Sequence, residues 1–92
     1  MATLSDAEIT ERLAALPHWR RDGDQIRCGW RFDSFADAVR FVNQVAELAE
    51  AADHHPDIYI SYRNVALSLS THSAGGLTTK DFDLAAQIED LK

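Results

Sequence analysis

Ile58-Tyr59-Ile60-Ser61-Tyr62-Arg63-Asn64-Val65-Ala66-Leu67-Ser68-Leu69-Ser70-Thr71-His72 decides the fold. Residues 58–62 and 65–71 are two short β-type runs, and Arg63-Asn64 between them predicts a two-residue hairpin turn, because asparagine tolerates the positive φ such turns require. Val65, Leu67 and Leu69 alternate with Ala66, Ser68, Ser70 and His72. Successive strand residues point to opposite faces, so this strand has one apolar face for a covering layer and one small, polar face. His72 is expected at the strand's end.

Upstream, the pattern repeats. Asp22-Gly23-Asp24 is a turn signal between residues 19–21 and 25–32. Ile26, Cys28, Trp30 and Phe32 alternate with polar or small residues, as in a half-buried strand. The two hairpins are separated and flanked by segments of helical period. Ser5-Asp6-Ala7-Glu8 reads as a capping box, with Ile9, Leu13 and Leu16 behind it and Pro17 as the stop. Ser34-Phe35-Ala36-Asp37 opens the longest helix, whose stripe is Phe35, Ala38, Val39, Val42, Val45, Leu48, Ala49 and Ala52. Pro56 and the residues before it end that helix near Asp53. Thr78 or Thr79 caps the last helix, with Asp81 in its first turn and Phe82, Leu84, Ala85, Ile88 and Leu91 on its inner face. The order α-β-β-α-β-β-α predicts an α+β fold: a four-stranded antiparallel sheet with three helices packed on one face.

Bulk properties narrow the function classes. Ninety-two residues suit a single domain, 1–92. A chain this short buries only roughly 60–65% of its unfolded surface, and self-association is the usual remedy. The formal net charge is −6, from 15 acidic and 9 basic residues. Nucleic-acid binding needs a clustered basic surface. Here only Arg20-Arg21, with Arg27 and Arg31 nearby, comes close, and a solvated strand edge describes them better. Direct nucleic-acid contact is not expected. Cys28 is the sole cysteine, so neither an intrachain disulfide nor a cysteine-based zinc site is expected. It reads as a small core residue. Neither a signal peptide nor an apolar run approaching the ~20 residues of a membrane span is expected from the sequence. The expectation is a cytoplasmic protein with no membrane contact.

Three of the four histidines fall within nineteen residues: His54, His55 and His72. Antiparallel pairing brings the start of the 58–62 strand near the end of its partner, and so brings His72 near His54-His55. Glu50, four residues before His54, faces the same side while the helix lasts. Histidine, with an unperturbed pKa of about 6.5, suits proton transfer near neutral pH. Two imidazoles on opposite sides of a substrate can protonate a leaving group and remove another proton, while carboxylates orient the rings. A zinc site completed by Glu50 or Asp81 is the second reading, although adjacent histidines rarely both reach one ion. Chance clustering is the third. His18, beside Trp19, reads as an ordinary surface histidine.

The residues also carry a resemblance. Glu50-Ala51-Ala52-Asp53-His54-His55-Pro56, then Tyr62, Ser70-Thr71-His72, Gly75-Gly76-Leu77-Thr78 and Asp81, are similar to the signature of the pterin-4a-carbinolamine dehydratases. Leu16, Trp19, Phe32-Asp33-Ser34-Phe35, Ala38 and Phe41 extend the likeness over nearly the whole chain. The resemblance implies the same fold and a metal-free dehydratase with no cofactor. Such an enzyme converts 4a-hydroxytetrahydrobiopterin to quinonoid dihydrobiopterin and water, recycling the pterin of aromatic amino-acid hydroxylases. It implies that His54, His55 and His72 are catalytic, with His54 and His72 as the main acid and base and His55 positioning. It further implies that Asp53, Ser70 and Thr71 contact the pterin, and that Glu50 and Asp81 orient histidines or the ring. A homodimer or homotetramer and a functional link to a hydroxylase follow from the same source. So does an alternative role, a protein-binding dimerisation or assembly cofactor. One departure stands out: Ile58 occupies a position where many members carry an aromatic residue, and Tyr59 is expected to substitute in part.

Overall fold

The computed structural model describes residues 2–91. Met1 and Lys92, the ends of the expected 1–92 domain, lie outside the described residues. The elements are α1 (Asp6–Leu13), β1 (Arg20–Asp22), β2 (Gln25–Arg31), α2 (Phe35–Ala52), β3 (Asp57–Ser61), β4 (Asn64–Leu69) and α3 (Thr79–Glu89), with a 3-10 turn at His72–Ala74. The strands form one antiparallel sheet in the order β1-β2-β4-β3. The expected α-β-β-α-β-β-α order and α+β class are observed.

Local chemistry sets the helix starts. The Ser5 hydroxyl accepts from the Glu8 N–H, and Glu8 answers by accepting from the Ser5 N–H at 3.0 Å. Ser34 caps α2 by accepting from the Asp37 N–H at 3.1 Å. Thr78, not Thr79, is the residue before α3, and it forms a second reciprocal box with Asp81. α1 ends at Leu13, short of Pro17. Leu16 still reaches the core from the following turn, where its N–H donates to the Leu13 carbonyl.

Cross-strand register sorts the two faces. Ile26, Cys28, Val65, Leu67 and Leu69 are buried beneath the helices, together with Ala38, Phe41, Val45 and Ala49 of α2 and Phe82, Leu84, Ala85 and Ile88 of α3. Gly29, Ala66 and Tyr59 stand side by side on the uncovered face, as do Arg27, Ser68 and Asp57. Cys28 is the core residue expected. Burial, followed by the negative charge of Glu89, pushes its thiol up to about 12. His18 is more engaged than expected: its Nδ1 lies 2.6 Å from Glu89 Oε2, and its ring packs against Trp30.

Several expected boundaries move. β1 starts at Arg20, and Trp19 is a core residue just ahead of it. Asp22 pairs with Gln25, so the first turn is Gly23-Asp24 alone. Phe32 falls just past β2, its N–H donating to the Arg63 carbonyl. The second turn is Tyr62-Arg63 rather than Arg63-Asn64, because Ser61 pairs with Asn64. This register sets Ile60 across from Val65 and leaves Tyr62, 67% exposed, off the covered face. Tyr62 takes the positive φ (53°) expected of Asn64, whereas Asn64 contributes a side-chain bond to the Ser61 carbonyl. Phe35 and Ala52 were expected in the α2 stripe but are exposed; they sit in the terminal turns, beyond the buried stretch from Ala38 to Ala49.

Candidate active site

The site begins where α2 ends. Asp53 adopts the left-handed conformation (φ 49°), and the His54 N–H donates back to the Ala49 carbonyl. This closure satisfies orphan carbonyls of the last turn and reverses the chain. The reversal points His54 inward. Its Nε2 lies 2.6 Å from Asp81 Oδ1, and the two side chains are 10% and 0% exposed.

Asp81 Oδ2 accepts from the Thr71 hydroxyl and from the Thr78 N–H, both at 2.9 Å. The Thr78 hydroxyl lies 2.8 Å from that of Thr71. Two donors thus fix the orientation of the Asp81 carboxyl, while its Oδ1 faces the His54 ring.

The segment after β4 supplies the rest. Thr71 bridges to Gly76, with its N–H donating to the Gly76 carbonyl at 3.0 Å, so residues 71–76 form a loop pinned at both ends. His72 lies on the 3-10 turn within that loop, not at the end of a strand as expected. The early end of β4 at Leu69 and the bridge to Gly76 account for the change. The ring of His72 is exposed and makes no hydrogen bond or ion pair among the described residues. His55 is also exposed, and its Nε2 lies 2.8 Å from Glu50 Oε1. The left-handed Asp53 breaks the helical phase, which is why Glu50 meets His55 and not His54.

Together, Asp53, His54, His55, Ser70, Thr71, His72, Ser73 and Lys80 line a pocket of about 280 Å³. Six of the eight residues singled out in the sequence are thus brought to one cavity. Glu50 and Asp81 stand behind His55 and His54. Ser73 and Lys80 were missed; Lys80 adjoins Asp81 in the first turn of α3, a proximity that could have flagged it. Tyr59 does not join this pocket. Its side chain is on the uncovered face next to Ala66, and Ile58 does not line this pocket either. Among the described residues, no group of three or more His, Cys, Asp or Glu side chains is arranged to hold a metal ion. Among the same residues, no helix is long and apolar enough to cross a membrane.

Comparison with known proteins agrees across the chain. The family model described as pterin 4 alpha carbinolamine dehydratase matches residues 2–91. A protein of Roseiflexus castenholzii, provisionally named a pterin-4-alpha-carbinolamine dehydratase, is 61% identical over 90 residues, covering 98% of this chain and 97% of its own. A relative from Picosynechococcus, with the same provisional name, is 51% identical over 92 residues, covering 99% and 100%. Among solved structures, a transcriptional coactivator/pterin dehydratase from Brucella melitensis superposes with a TM-score of 0.93 at 33% identity, covering 97% of each chain. A pterin dehydratase-like protein identified as a RuBisCO assembly factor in the alpha-carboxysome superposes with a TM-score of 0.67 at 25% identity, covering 79% of this chain and 87% of its own.

Proposed function

Because the chain belongs to the pterin 4 alpha carbinolamine dehydratase family, we propose that it removes water from a 4a-hydroxytetrahydropterin by histidine acid–base catalysis. It is a hydro-lyase of pterin recycling. The observation that carries the mechanism is the pocket where His54, backed by a fully buried Asp81, meets His72.

A carbinolamine holds its hydroxyl on a carbon bonded to nitrogen. Dehydration breaks that C–O bond, forms a C=N bond, sends one proton to the departing hydroxyl and takes one from the nitrogen. One acid and one base suffice, and the net proton count is unchanged. With Nε2 turned to Asp81 Oδ1, His54 offers Nδ1 to the substrate, and the buried carboxyl orients the ring. That suits His54 as base and His72, free of a carboxylate partner, as acid. His55, held by the exposed Glu50, positions the ring. Backbone and hydroxyl groups of Asp53, Ser70 and Thr71 contact the pterin. The upstream reaction is an aromatic amino-acid hydroxylation that leaves the hydroxylated pterin.

Stopped-flow dehydration of 4a-hydroxytetrahydrobiopterin tests this reading. Acceleration over the spontaneous rate, unchanged by a chelator such as EDTA, is expected. Activity lost on chelation and restored by zinc would replace the histidine mechanism with a metal one.

The 1–92 chain acts as one domain and self-associates as a homodimer or homotetramer. The support is β3, an edge strand with unpaired backbone groups and with Ile58 39% and Tyr59 67% exposed. Sedimentation velocity at micromolar concentration is expected to give a multiple of the chain mass; a clean monomer would contradict it.

A further inference from the structure

We infer that the uncovered face of the sheet docks an acidic, extended segment of a partner protein. One acidic side chain meets Arg20 and Arg27, an apolar one lies over Gly29 beside Tyr59, and a second acidic one meets Arg31. This surface shares no lining residue with the histidine pocket.

Charge is segregated along the chain. Segments 20–31 and 57–69, which hold the four strands, carry five of the 9 basic residues and three of the 15 acidic ones. The remainder keeps four basic and twelve acidic residues, so a sheet of net positive charge sits on a strongly negative helical layer. Successive strand residues alternate faces. Burial of Ile26, Cys28, Val65 and Leu67 therefore turns Arg27, Gly29, Arg31 and Ala66 outward. Arg20 stands directly across from Arg27 and faces the same way. Like charges placed directly opposite are destabilising. Asp22 reaches Arg27 at 3.2 Å, but Arg20 and Arg31 form no ion pair among the described residues. The sheet thus keeps an unfavourable arginine pair that an outside carboxylate would relieve.

The shape between the arginines suits a peptide. Gly29 pairs with Ala66, and Ala66 with Tyr59, so the floor is low. Tyr59, 67% exposed, rises beside it. Two hollows, of about 390 and 250 Å³, both have Tyr59 and Ala66 in their walls and so form one trough. Arg31 lines the first hollow and Arg27 the second. Arg27, Gly29 and Arg31 recur at the two-residue period of one strand face, which spaces the two arginines roughly 14 Å apart at ~3.4 Å per residue. An extended peptide has the same period, so its side chains i, i+2 and i+4 meet the three in turn. Tyrosine and arginine are also the side chains that concentrate binding energy at protein interfaces. A nucleic-acid strand fits worse. Asp57 lies in the row of Arg27, beyond Ser68, and would face a phosphate. Tyr59 is the one aromatic among the outward-facing strand residues, whereas single strands are held by stacking successive bases.

The probe is an end-capped synthetic peptide, Thr-Glu-Thr-Phe-Thr-Glu-Thr, titrated into isotope-labelled protein. Amide shifts confined to residues 20, 27–31, 57–61 and 64–68 are expected. A peptide of the same composition with its glutamates adjacent should bind several-fold more weakly. Arg31→Glu is expected to weaken binding by about 10-fold or more, because repulsion replaces a charged hydrogen bond. Arg20→Thr is expected to weaken it by about 3-fold while its urea midpoint holds or rises, since the like-charge pair is gone. Raising salt from about 50 to 300 mM should loosen the wild-type complex several-fold. Both variants should keep the dehydratase kcat/KM of wild type, as neither residue lines the histidine pocket. The docking surface is overturned by an absence of shifts at about 1 mM peptide, by equal binding of the two peptides, or by tighter binding of single-stranded oligothymidine. A lowered midpoint in Arg20→Thr with peptide affinity unchanged also overturns it, by making the arginine pair purely structural.

Discussion

His72→Ala is expected to lower kcat/KM for dehydration by about 10²- to 10⁴-fold, the usual worth of one positioned proton transfer. The same variant is expected to keep its urea midpoint. The ring is exposed and has no partner among the described residues, so deletion leaves neither a cavity nor an orphaned buried group. This separates chemistry from folding more cleanly than His54→Ala, which would strand Asp81 Oδ1. Removing both histidines is expected to cost little more than removing one, because groups that act as a unit are not additive. Near-normal rates in His54→Ala/His72→Ala would falsify the histidine mechanism. The pH profile gives a second readout: the bell-shaped dependence on one acid and one base should lose a limb in His72→Ala.

The second large effect is on stability. Asp81→Ala is expected to destabilise the fold by about 3–5 kcal/mol, the range seen when one partner of a buried pair is removed. Three groups lose their partner at once: the His54 ring, the Thr71 hydroxyl and the Thr78 N–H. Typical domains have only about 5–15 kcal/mol in total. At roughly 4–8 °C per kcal/mol for a domain of this size, Tm should fall by more than about 10 °C. Asp81→Asn keeps the shape and one acceptor, so its loss should be smaller, yet it reverses the donor–acceptor match with one of the three partners. A midpoint shift worth under about 1 kcal/mol for Asp81→Ala would show that the network does not hold α3 to the loop after β4.

Much of this architecture was legible because its signals are local. Alternation at Val65, Leu67 and Leu69 specified a face, and Ser5 with Glu8, Ser34 with Asp37, and Thr78 with Asp81 specified helix starts. The phase of the second turn was not legible. Asn64 has the better intrinsic preference for positive φ, but the pairing of Ile60 with Val65 overrides it and assigns that conformation to Tyr62. For the site, hairpin pairing correctly drew His72 toward His54-His55. The carboxylate partners depended on one left-handed residue, Asp53, which rotates His55 toward Glu50 and His54 toward a helix 27 residues away. No periodic pattern encodes that rotation. Nor does sequence spacing tell a first-turn Asp81 in solvent from one that is wholly buried.

A second hollow, lined by Asp22, Asp24, Gln25, Gly75 and Gly76, shares Ser70 and His72 with the histidine pocket, and the two are written in different parts of the chain. The histidines and their carboxylates all fall between Glu50 and Asp81, around a single hairpin. The facing wall of the neighbouring hollow comes from Asp22, Asp24 and Gln25, on a two-residue turn. Such a turn can be lengthened, shortened or recharged without moving a strand that carries a histidine. The two walls are therefore separately inheritable: a lineage can rewrite one surface turn while the segment that carries the histidines passes on unaltered.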